Sequence, residues 1–284
     1  MLNAKASLVN KVLLNWFERY NFLLSKFMNT KEYFRRIGIE ETRETSLPAT
    51  FESLKLLQKQ HLLNIPFENL DIHWRRPIIL DAEKFYRKIV EEKRGGFCYE
   101  LNGLFCNLLR EIGFQSRMIS ARVAGGENGF GEEYDHLAIL TEIGGEEFLV
   151  DVGFGSFTAA PLKFVSDLEQ PDENGVFLIR KFDAHYFEVA KKDAGEWKSE
   201  YIFKASRRDL PEFDGMCRFH QTSPESHFTR GRVCSLMTNK GRKTLTDKKF
   251  IETGNAERKE VDVNSEAEFN EILEREFGIK SSFG

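Results

Sequence analysis

The apolar positions in the first part of the chain recur every three or four residues, which is the spacing of an amphipathic helix. Residues 51–62 follow this pattern until Pro66 ends it, and Asp81 is placed to cap a second helix. The spacing returns at Cys98 and continues to Gly113, a typical helix stop. We therefore expect a helical first module, with Cys98 at the N-terminus of its last helix.

Beyond this helical module the apolar spacing changes to the alternation that is typical of strands. The predicted strands cover 116–124, 136–143, 146–153, 176–181, 184–191 and 197–204. Two further strands, near 232–238 and 243–246, precede a helix that Ser265 and Glu268 cap. The pattern thus predicts three modules in order: helical, β and mixed.

One predicted hairpin brings together two polar residues. Gly144-Gly145 separates two alternating runs and suits a two-residue turn. The register that this turn imposes places His136 diagonal to Asp151 on one face, with only the methyl group of Ala138 beside them. The opposite face is predicted to be the packed side and carries Leu137, Ile139, Ile143, Phe148, Val150 and Val152.

Composition and charge narrow the classes of function. The chain has 284 residues, a hydrophobic share of 41% and a formal net charge of −4. No apolar run approaches the ~18 residues that a membrane helix needs. There is also no overall positive charge to hold a nucleic acid backbone. We therefore expect neither a membrane protein nor a nucleic-acid-binding protein.

The cysteines and the N-terminus suggest a cellular compartment. The four cysteines show no C-x-x-C spacing, and no cleavable signal is recognised at the start of the chain. We expect neither a zinc site nor a disulfide framework, and a reducing, cytoplasmic location. Residues 1–28 form a mildly basic amphipathic segment, which we interpret as an N-terminal extension; a packing helix and a contact with a membrane or a partner are the alternatives.

The position of Cys98 suggests a nucleophile. A sulfur at a helix N-terminus meets unpaired N–H groups and the positive end of the helix dipole, and both favour a thiolate. With His136 and Asp151 it would form a Cys-His-Asp triad, in which the carboxylate orients the imidazole. A cysteine that only fills the core and a purely structural His–Asp pair remain the alternatives.

Four segments together resemble the arylamine N-acetyltransferase family. They are RGGFCYELN at 94–102, the strand that begins at His136, VDVGFG at 150–155 and IPFENL at 65–70. The resemblance runs in order from about residue 31 to residue 279, so it is far more specific than any single motif.

The resemblance implies an α+β fold in which a helical bundle, a central β-barrel and an α/β lid surround a core like that of cysteine proteases and transglutaminases. The corresponding modules would be 29–115, 116–218 and 219–284, after the extension at 1–28.

The resemblance also implies an acyltransferase without a metal. Acetyl-coenzyme A would be the donor and an aromatic amine or hydrazine the acceptor, in a ping-pong reaction through an acetyl-cysteine. By matching position, Cys98 would be the acetylated nucleophile, His136 its base and Asp151 the orienting residue. Arg94 and Glu68 match a structural ion pair.

Further positions follow from the same resemblance. Those that match walls of the acceptor pocket are Phe67, Phe97 and Phe154. Asn102 matches a position close to the triad. The candidates for contact with coenzyme A are Gly126, Gly131, Ser226 and Thr229. For these four, a plain hairpin connection at 125–131 and a capped turn at 222–230 remain the alternatives.

Two rival functions remain at this point. The same triad attacks amides as well as thioesters, so a thiol hydrolase or a transglutaminase is possible. A non-catalytic binding or scaffold protein could retain a triad-like core as structure. The sequence leaves the preferred amine and the oligomeric state open.

Overall fold

A computed structural model describes residues 28–40, 47–125, 129–254 and 257–281. The segment 1–27, most of the expected N-terminal extension, lies outside the described residues. The α-helices are α1 (Thr30–Arg36), α2 (Phe51–Asn64), α3 (Leu70–His73), α4 (Ala82–Tyr86), α5 (Cys98–Glu111), α6 (Asp214–Thr222) and α7 (Glu266–Phe277). A π-helical turn at Arg87–Glu91 follows α4, and 3-10 turns lie at Leu210–Phe213 and His227–Thr229.

Local sequence explains where the predicted helices begin and end. Asp81 caps α4 by accepting the backbone N–H of Lys84, and Ser265 caps α7 in the same way. The helix α5 begins at Cys98, as predicted, and Gly113 follows its end with a φ of 97°, a conformation that favours glycine.

The strands form two antiparallel sheets. They are β1 (Phe67–Glu68), β2 (Gln115–Val123), β3 (His136–Ile143), β4 (Glu146–Val150), β5 (Leu162–Lys163), β6 (Gln170–Asp172), β7 (Gly175–Lys181), β8 (Phe187–Asp193), β9 (Glu196–Phe203), β10 (Val233–Thr238), β11 (Gly241–Thr246), β12 (Lys249–Gly254) and β13 (Glu257–Asp262). Eight of them run in the order β5-β4-β3-β2-β9-β8-β7-β6, and the other five in the order β1-β10-β11-β12-β13.

The larger sheet curls into a nearly closed barrel. Strand β5 contacts β7, and a bridge joins Ser166 to Ile179 across the gap. In the smaller sheet, the short β1 from the helical part of the chain pairs with β10. The described residues thus form a mixed fold of helices, a β-barrel and a second, smaller sheet.

Three hydrophobic cores lie between these elements. The first joins the helices to one face of β3 and β4, the second fills the barrel, and the third lies between the smaller sheet and α7. Within the described residues, no helix has the length and apolar character needed to cross a bilayer.

The predicted hairpin register is confirmed. Ile143 pairs with Glu146 and Ile139 with Val150, across a turn in which Gly144 and Gly145 have φ angles of 61° and 83°. Positive φ at both positions is the reason for two glycines.

The prediction of a single packed face on this hairpin is wrong. Leu137 and Val150 pack in the first core as expected, but Ala138, Leu140 and Leu149 pack in the second. Both faces are buried because the sheet curls into a barrel and encloses its inner side.

Some strand limits differ from the prediction for local reasons. The strand expected at 184–191 begins at Phe187, because the carboxylate of Asp183 accepts the N–H groups of His185 and Tyr186 and forms a turn. The sequence pattern does not predict β12 or β13. For β13 the reason is that the strand is exposed along its whole length and lacks an apolar alternation.

Candidate active site

Cys98 lies at a point where three segments approach closely. A Cβ on Gly95 would lie 2.0 Å from the Pro66 carbonyl oxygen, and one on Gly153 would lie 2.8 Å from Cys98 Cα. Only glycine allows these approaches without displacing the backbone. They place the segment after Asp151 directly against the start of α5.

His136 and Asp151 form the predicted pair. His136 Nε2 lies 2.7 Å from Asp151 Oδ2, and both side chains are buried. Strand β4 ends at Val150 because the next residues turn away: Asp151 Oδ1 accepts the N–H of Gly153 at 2.9 Å. The bond engages one ring nitrogen of His136 and leaves Nδ1 for another partner.

Asn102 connects α5 to both partners. Its Nδ2 donates to Asp151 Oδ1 at 2.8 Å and to the Leu137 carbonyl at 2.6 Å, while its Oδ1 accepts the Val152 N–H at 2.8 Å. One buried amide therefore holds together the helix, β3 and the end of β4. Asn102 therefore lies beside two of the three residues of the expected triad, His136 and Asp151.

Tyr201 is a site residue that sequence reasoning missed. Its hydroxyl donates to Asp151 Oδ2 at 3.2 Å, from strand β9 across the barrel. Burial raises its pKa well above the ordinary value, and the Asp151 charge acts in the same direction. Tyr201 therefore stays a donor, and Asp151 accepts from four groups in all.

The electrostatic environment of Cys98 differs from the expectation. Burial raises the pKa of Cys98 well above its ordinary value, and the carboxylates of Asp135 and Asp151 raise it further. A hydrogen bond from the Leu137 backbone amide lowers it. While the neighbouring imidazole is neutral, this environment favours the thiol, whereas the helix N-terminus alone led us to expect a thiolate.

The three predicted wall phenylalanines lie in two groups. The ring of Phe154 is 5.2 Å from His136 and 5.1 Å from Tyr201, edge to face in both cases. Phe97 and Phe67 lie 6.0 and 6.1 Å from the ring of Phe228. Phe97 is fully buried, whereas Phe67 and Phe154 are half-buried.

Comparison with known proteins identifies the family. A family model described as N-acetyltransferase matches residues 50–283. An arylamine N-acetyltransferase isozyme of the Gallus gallus pineal gland is 31% identical over 276 residues, which cover 89% of this chain and 94% of that protein. The chain belongs to the arylamine N-acetyltransferase family. Members of this family are acyltransferases, and the family reaction transfers acetyl from acetyl-coenzyme A.

Bacterial members of the family show the same relationship. The Escherichia coli arylamine N-acetyltransferase is 31% identical over 254 residues and covers 87% of either chain. The solved structure of the Mycobacterium smegmatis enzyme superposes with a TM-score of 0.82 at 26% identity, covering 89% of this chain and 93% of that one. The solved structure of a Bacillus cereus arylamine N-acetyltransferase superposes with a TM-score of 0.81 at 25% identity, covering 89% of this chain and 100% of that one. That enzyme has a unique Cys-His-Glu catalytic triad.

A buried ion network lies behind the start of α5. Arg94 binds Glu68 Oε1 at 2.7 Å and Asp71 Oδ1 at 3.0 Å, so the expected ion pair is present. Lys88 bridges Asp71 at 2.8 Å and Glu100 at 2.9 Å. Sequence reasoning missed Asp71 and Lys88.

Glu100 connects this network to the start of α5. Its Oε2 accepts the Phe97 backbone N–H at 3.1 Å, one residue before Cys98. Burial raises the pKa of Glu100 to about 7, although Lys88 acts in the opposite direction. The carboxyl group that caps α5 therefore titrates near neutral pH.

Two candidates for coenzyme contact, Ser226 and Thr229, make hydrogen bonds within the chain itself. Ser226 Oγ accepts the Phe228 N–H at 3.2 Å, and Thr229 Oγ1 donates to the carbonyls of Ser223 at 2.7 Å and Ser226 at 2.9 Å. These bonds build a capped turn, which was the alternative interpretation. Contact of Ser226 and Thr229 with coenzyme A stays a prediction.

The glycine candidates lie in the connection between β2 and β3. The Gly131 N–H donates to the Val123 carbonyl, and a Cβ on Gly131 would lie 2.3 Å from Asp135 Oδ2. Gly131 therefore allows the Asp135 carboxylate to approach its backbone. Gly126 lies outside the described residues.

Cys98 lines neither of two clefts on the described surface. One of about 330 Å³ opens between Arg76 and Lys84, above the ion network, and one of about 500 Å³ opens beside Asn64 and Lys243. In the part of the chain that the structure describes, no three His, Cys, Asp or Glu residues are grouped so as to hold a metal ion.

Proposed function

We propose that this protein transfers the acetyl group of acetyl-coenzyme A to the nitrogen of arylamines or arylhydrazines through an acetyl-cysteine. The observation that carries the proposal is the buried pair of His136 and Asp151, 2.7 Å apart, beside the start of the helix that begins at Cys98. The Leu137 amide that bonds the Cys98 sulfur belongs to the residue after His136. Sulfur, imidazole and carboxylate thus belong to one small region.

The proposed roles follow from the hydrogen bonds. Asp151 holds Nε2 of His136 and stabilises its cation, so Nδ1 is the nitrogen that exchanges a proton with Cys98. A related enzyme has Glu as the third member of a cysteine triad, and Asp151 would supply the same kind of carboxylate here.

In the first half-reaction, the Cys98 sulfur attacks the thioester carbonyl and its proton moves to His136 Nδ1. The sulfur–carbon bond to coenzyme A then breaks, and the leaving thiolate takes the proton from His136. N–H groups at the start of α5 stabilise the developing oxyanion. Because burial favours the neutral thiol, we infer that proton transfer to His136 occurs as the donor excludes water.

In the second half-reaction, the neutral amine attacks acetyl-cysteine. His136 takes the amine proton, the carbon–sulfur bond breaks, and Cys98 regains its proton as the N-acetyl product leaves. Half-buried Phe67 and Phe154 are proposed to hold the flat acceptor between aromatic faces. Phe97 supports this wall from behind, because its ring is fully buried against Phe228.

The layout of the molecule is proposed to follow the same scheme. The proposed modules are a helical bundle at 29–115, a β-barrel at 116–218 and an α/β lid at 219–284, around a core like that of cysteine proteases. The first hydrophobic core joins the first two modules, because it contains helical residues together with Leu137 and Val150. Coenzyme A is proposed to enter beside the 125–131 connection and the 222–230 turn.

Mass spectrometry after mixing with acetyl-coenzyme A tests the proposal. We expect one added acetyl group on the peptide that contains Cys98, and its loss on adding an arylamine. Cys106→Ala is the matched control, since Cys106 is buried on the same helix and should not affect labelling. Amine acetylation without labelled Cys98 would contradict a covalent path, and fast loss of acetyl without any amine would favour hydrolysis.

A further inference from the structure

The segment 154–156 carries one of the two half-buried phenylalanines of the proposed acceptor pocket. Phe154 begins this segment, and its ring lies 5.2 Å from that of His136. Among the described residues, one group forms a hydrogen bond with the backbone of this segment: the guanidinium of Arg242, whose Nη2 donates to the Gly155 carbonyl. A side chain from the smaller sheet therefore anchors the backbone next to Phe154.

The residues on either side of this segment are held by other groups. Before it, the Gly153 N–H donates to Asp151 Oδ1 at 2.9 Å. After it, the Phe157 carbonyl accepts from the Asn174 side chain at 2.6 Å. Loss of the bond from Arg242 would therefore release the segment itself, while the bonds of Asp151 would be kept.

The second hydrogen bond of Arg242 reaches the strands that carry the other phenylalanine of the proposed pocket. Its Nη1 donates to the Ser235 hydroxyl at 3.1 Å. Ser235 on β10 is the direct partner of Phe67 on β1, and directly opposed side chains of an antiparallel pair share a face. Arg242 lies on this face as well, because it is two residues before Thr244, the partner of Ser235 on β11. One guanidinium thus connects the backbone beside Phe154 to the sheet face that carries Phe67.

Arg242 makes this connection without an acidic partner. None of the described carboxylates forms an ion pair with its guanidinium, and its two bonds go to a carbonyl and a hydroxyl. Burial lowers the pKa of Arg242 to about 10, so the group is still a cation near neutral pH. Burying a charge without a counterion costs free energy, whereas burying an apolar side chain does not. Stability alone would therefore favour an apolar residue at this position.

We propose that Arg242 is a positioning residue that sets the width of the acceptor pocket, because it fixes the segment 154–156 against the sheet face that carries Phe67. The proposal rests on the proposed function, in which Phe67 and Phe154 hold the acceptor. Arg242 acts through the position of Phe154 and does not touch the reacting atoms. It determines how bulky an arylamine fits between the two rings, and therefore which arylamines are acetylated fastest.

The test is the acceptor selectivity of Arg242→Met, which keeps an unbranched side chain and removes both hydrogen bonds. The two acceptors are para-methylaniline and para-tert-butylaniline, which have similar amines and differ in the bulk of one substituent. In a ping-pong reaction, kcat/KM for the acceptor reports the second half-reaction alone, and kcat/KM for the donor reports the first.

In Arg242→Met, the ratio of kcat/KM for the bulky amine to kcat/KM for the small one should rise by roughly 3- to 10-fold, the range that corresponds to one hydrogen bond. The kcat/KM for acetyl-coenzyme A should keep its wild-type value, because the bonds of Asp151 do not involve Arg242. Arg258→Met is the matched control, since it is the same substitution in the same sheet at an exposed side chain. It should change neither quantity.

A merely structural role for Arg242 would reduce the rates with both amines equally and lower the melting temperature. An unchanged selectivity ratio in Arg242→Met would therefore overturn the proposal. If this variant fails to fold, Arg242→Lys decides, because an ammonium cannot reproduce the fork that reaches Gly155 and Ser235 together, and an unchanged ratio there also contradicts the proposal. Amine acetylation without acetyl-Cys98 would reject the covalent path of the proposed function, and the selectivity ratio would still test Arg242.

Discussion

Gly153→Ala is the substitution that most directly tests the geometry of the site. An added Cβ would lie 2.8 Å from Cys98 Cα, 3.1 Å from the Cys98 carbonyl oxygen and 2.8 Å from Asn102 Nδ2. Two of the three atoms are backbone, so no side-chain rotation relieves the contact. The backbone at Gly153 lies outside the left-handed region, so the effect would come from crowding alone.

The expected magnitude follows from these distances. Carbon atoms in contact prefer about 3.5 Å or more, so the 2.8 Å contact with Cys98 Cα is short by about 0.7 Å. Overpacking of this kind costs about 1–3 kcal/mol of unfolding free energy. Because a displacement of about 1 Å can cost roughly a hundredfold in rate, we expect acetyl transfer to fall by about 10- to 100-fold.

The assay is kcat/KM for arylamine acetylation, together with thermal unfolding. Gly215→Ala is the matched control, because a Cβ there meets nothing within 4 Å and Gly215 lies in α6. It should keep the wild-type rate and lose no stability. A Gly153→Ala protein with unchanged rate and melting temperature would refute the close approach of this segment to Cys98.

Other predictions concern the groups around the proposed triad. Asp151→Asn should lower kcat by roughly 10³- to 10⁴-fold while folding is retained, because an amide cannot accept from all four donors. Near-normal turnover would contradict the proposed role of Asp151 in orienting His136. Tyr201→Phe removes one of these donors and should lower kcat by roughly tenfold or less, since a neutral hydrogen bond contributes about 1 kcal/mol. An equal loss of kcat in Asp151→Asn and Tyr201→Phe would contradict the smaller effect expected for Tyr201. Burial raises the Glu100 pKa from 4.5 to about 7, so the ionised carboxylate destabilises the fold as the pH rises through this range. The unfolding free energy of Glu100→Gln, measured by denaturant titration, should therefore rise relative to wild type by up to about 3 kcal/mol between pH 5 and pH 8. Parallel pH profiles of the two proteins would exclude this titration.

The part of the site that could be predicted from sequence is the part that local rules determine. Two glycines require a tight turn, the turn fixes the register, and the register brings His136 to Asp151. The position of Cys98 at a helix start follows in the same way from apolar spacing and the preceding glycines. Each inference uses residues that are close in sequence.

The missed residues depend on contacts between distant parts of the chain. Tyr201 reaches Asp151 only because β9 closes onto β2 in the barrel, and no sequence spacing indicates that pairing. Lys88 is buried only because three carboxylates from other segments surround it. The thiolate expectation for Cys98 failed for the same reason, since burial is decided by the whole fold.

The hairpin of β3 and β4 separates two cores along its length, with successive side chains entering opposite ones. A one-residue insertion within either strand would exchange the two sets and carry Asp151 to the wrong side, whereas an insertion at the Gly144-Gly145 turn would leave the pairing intact. Descendants of this protein should therefore vary in length only at the hairpin tip, and keep the number of strand residues from His136 to the turn and from the turn to Asp151.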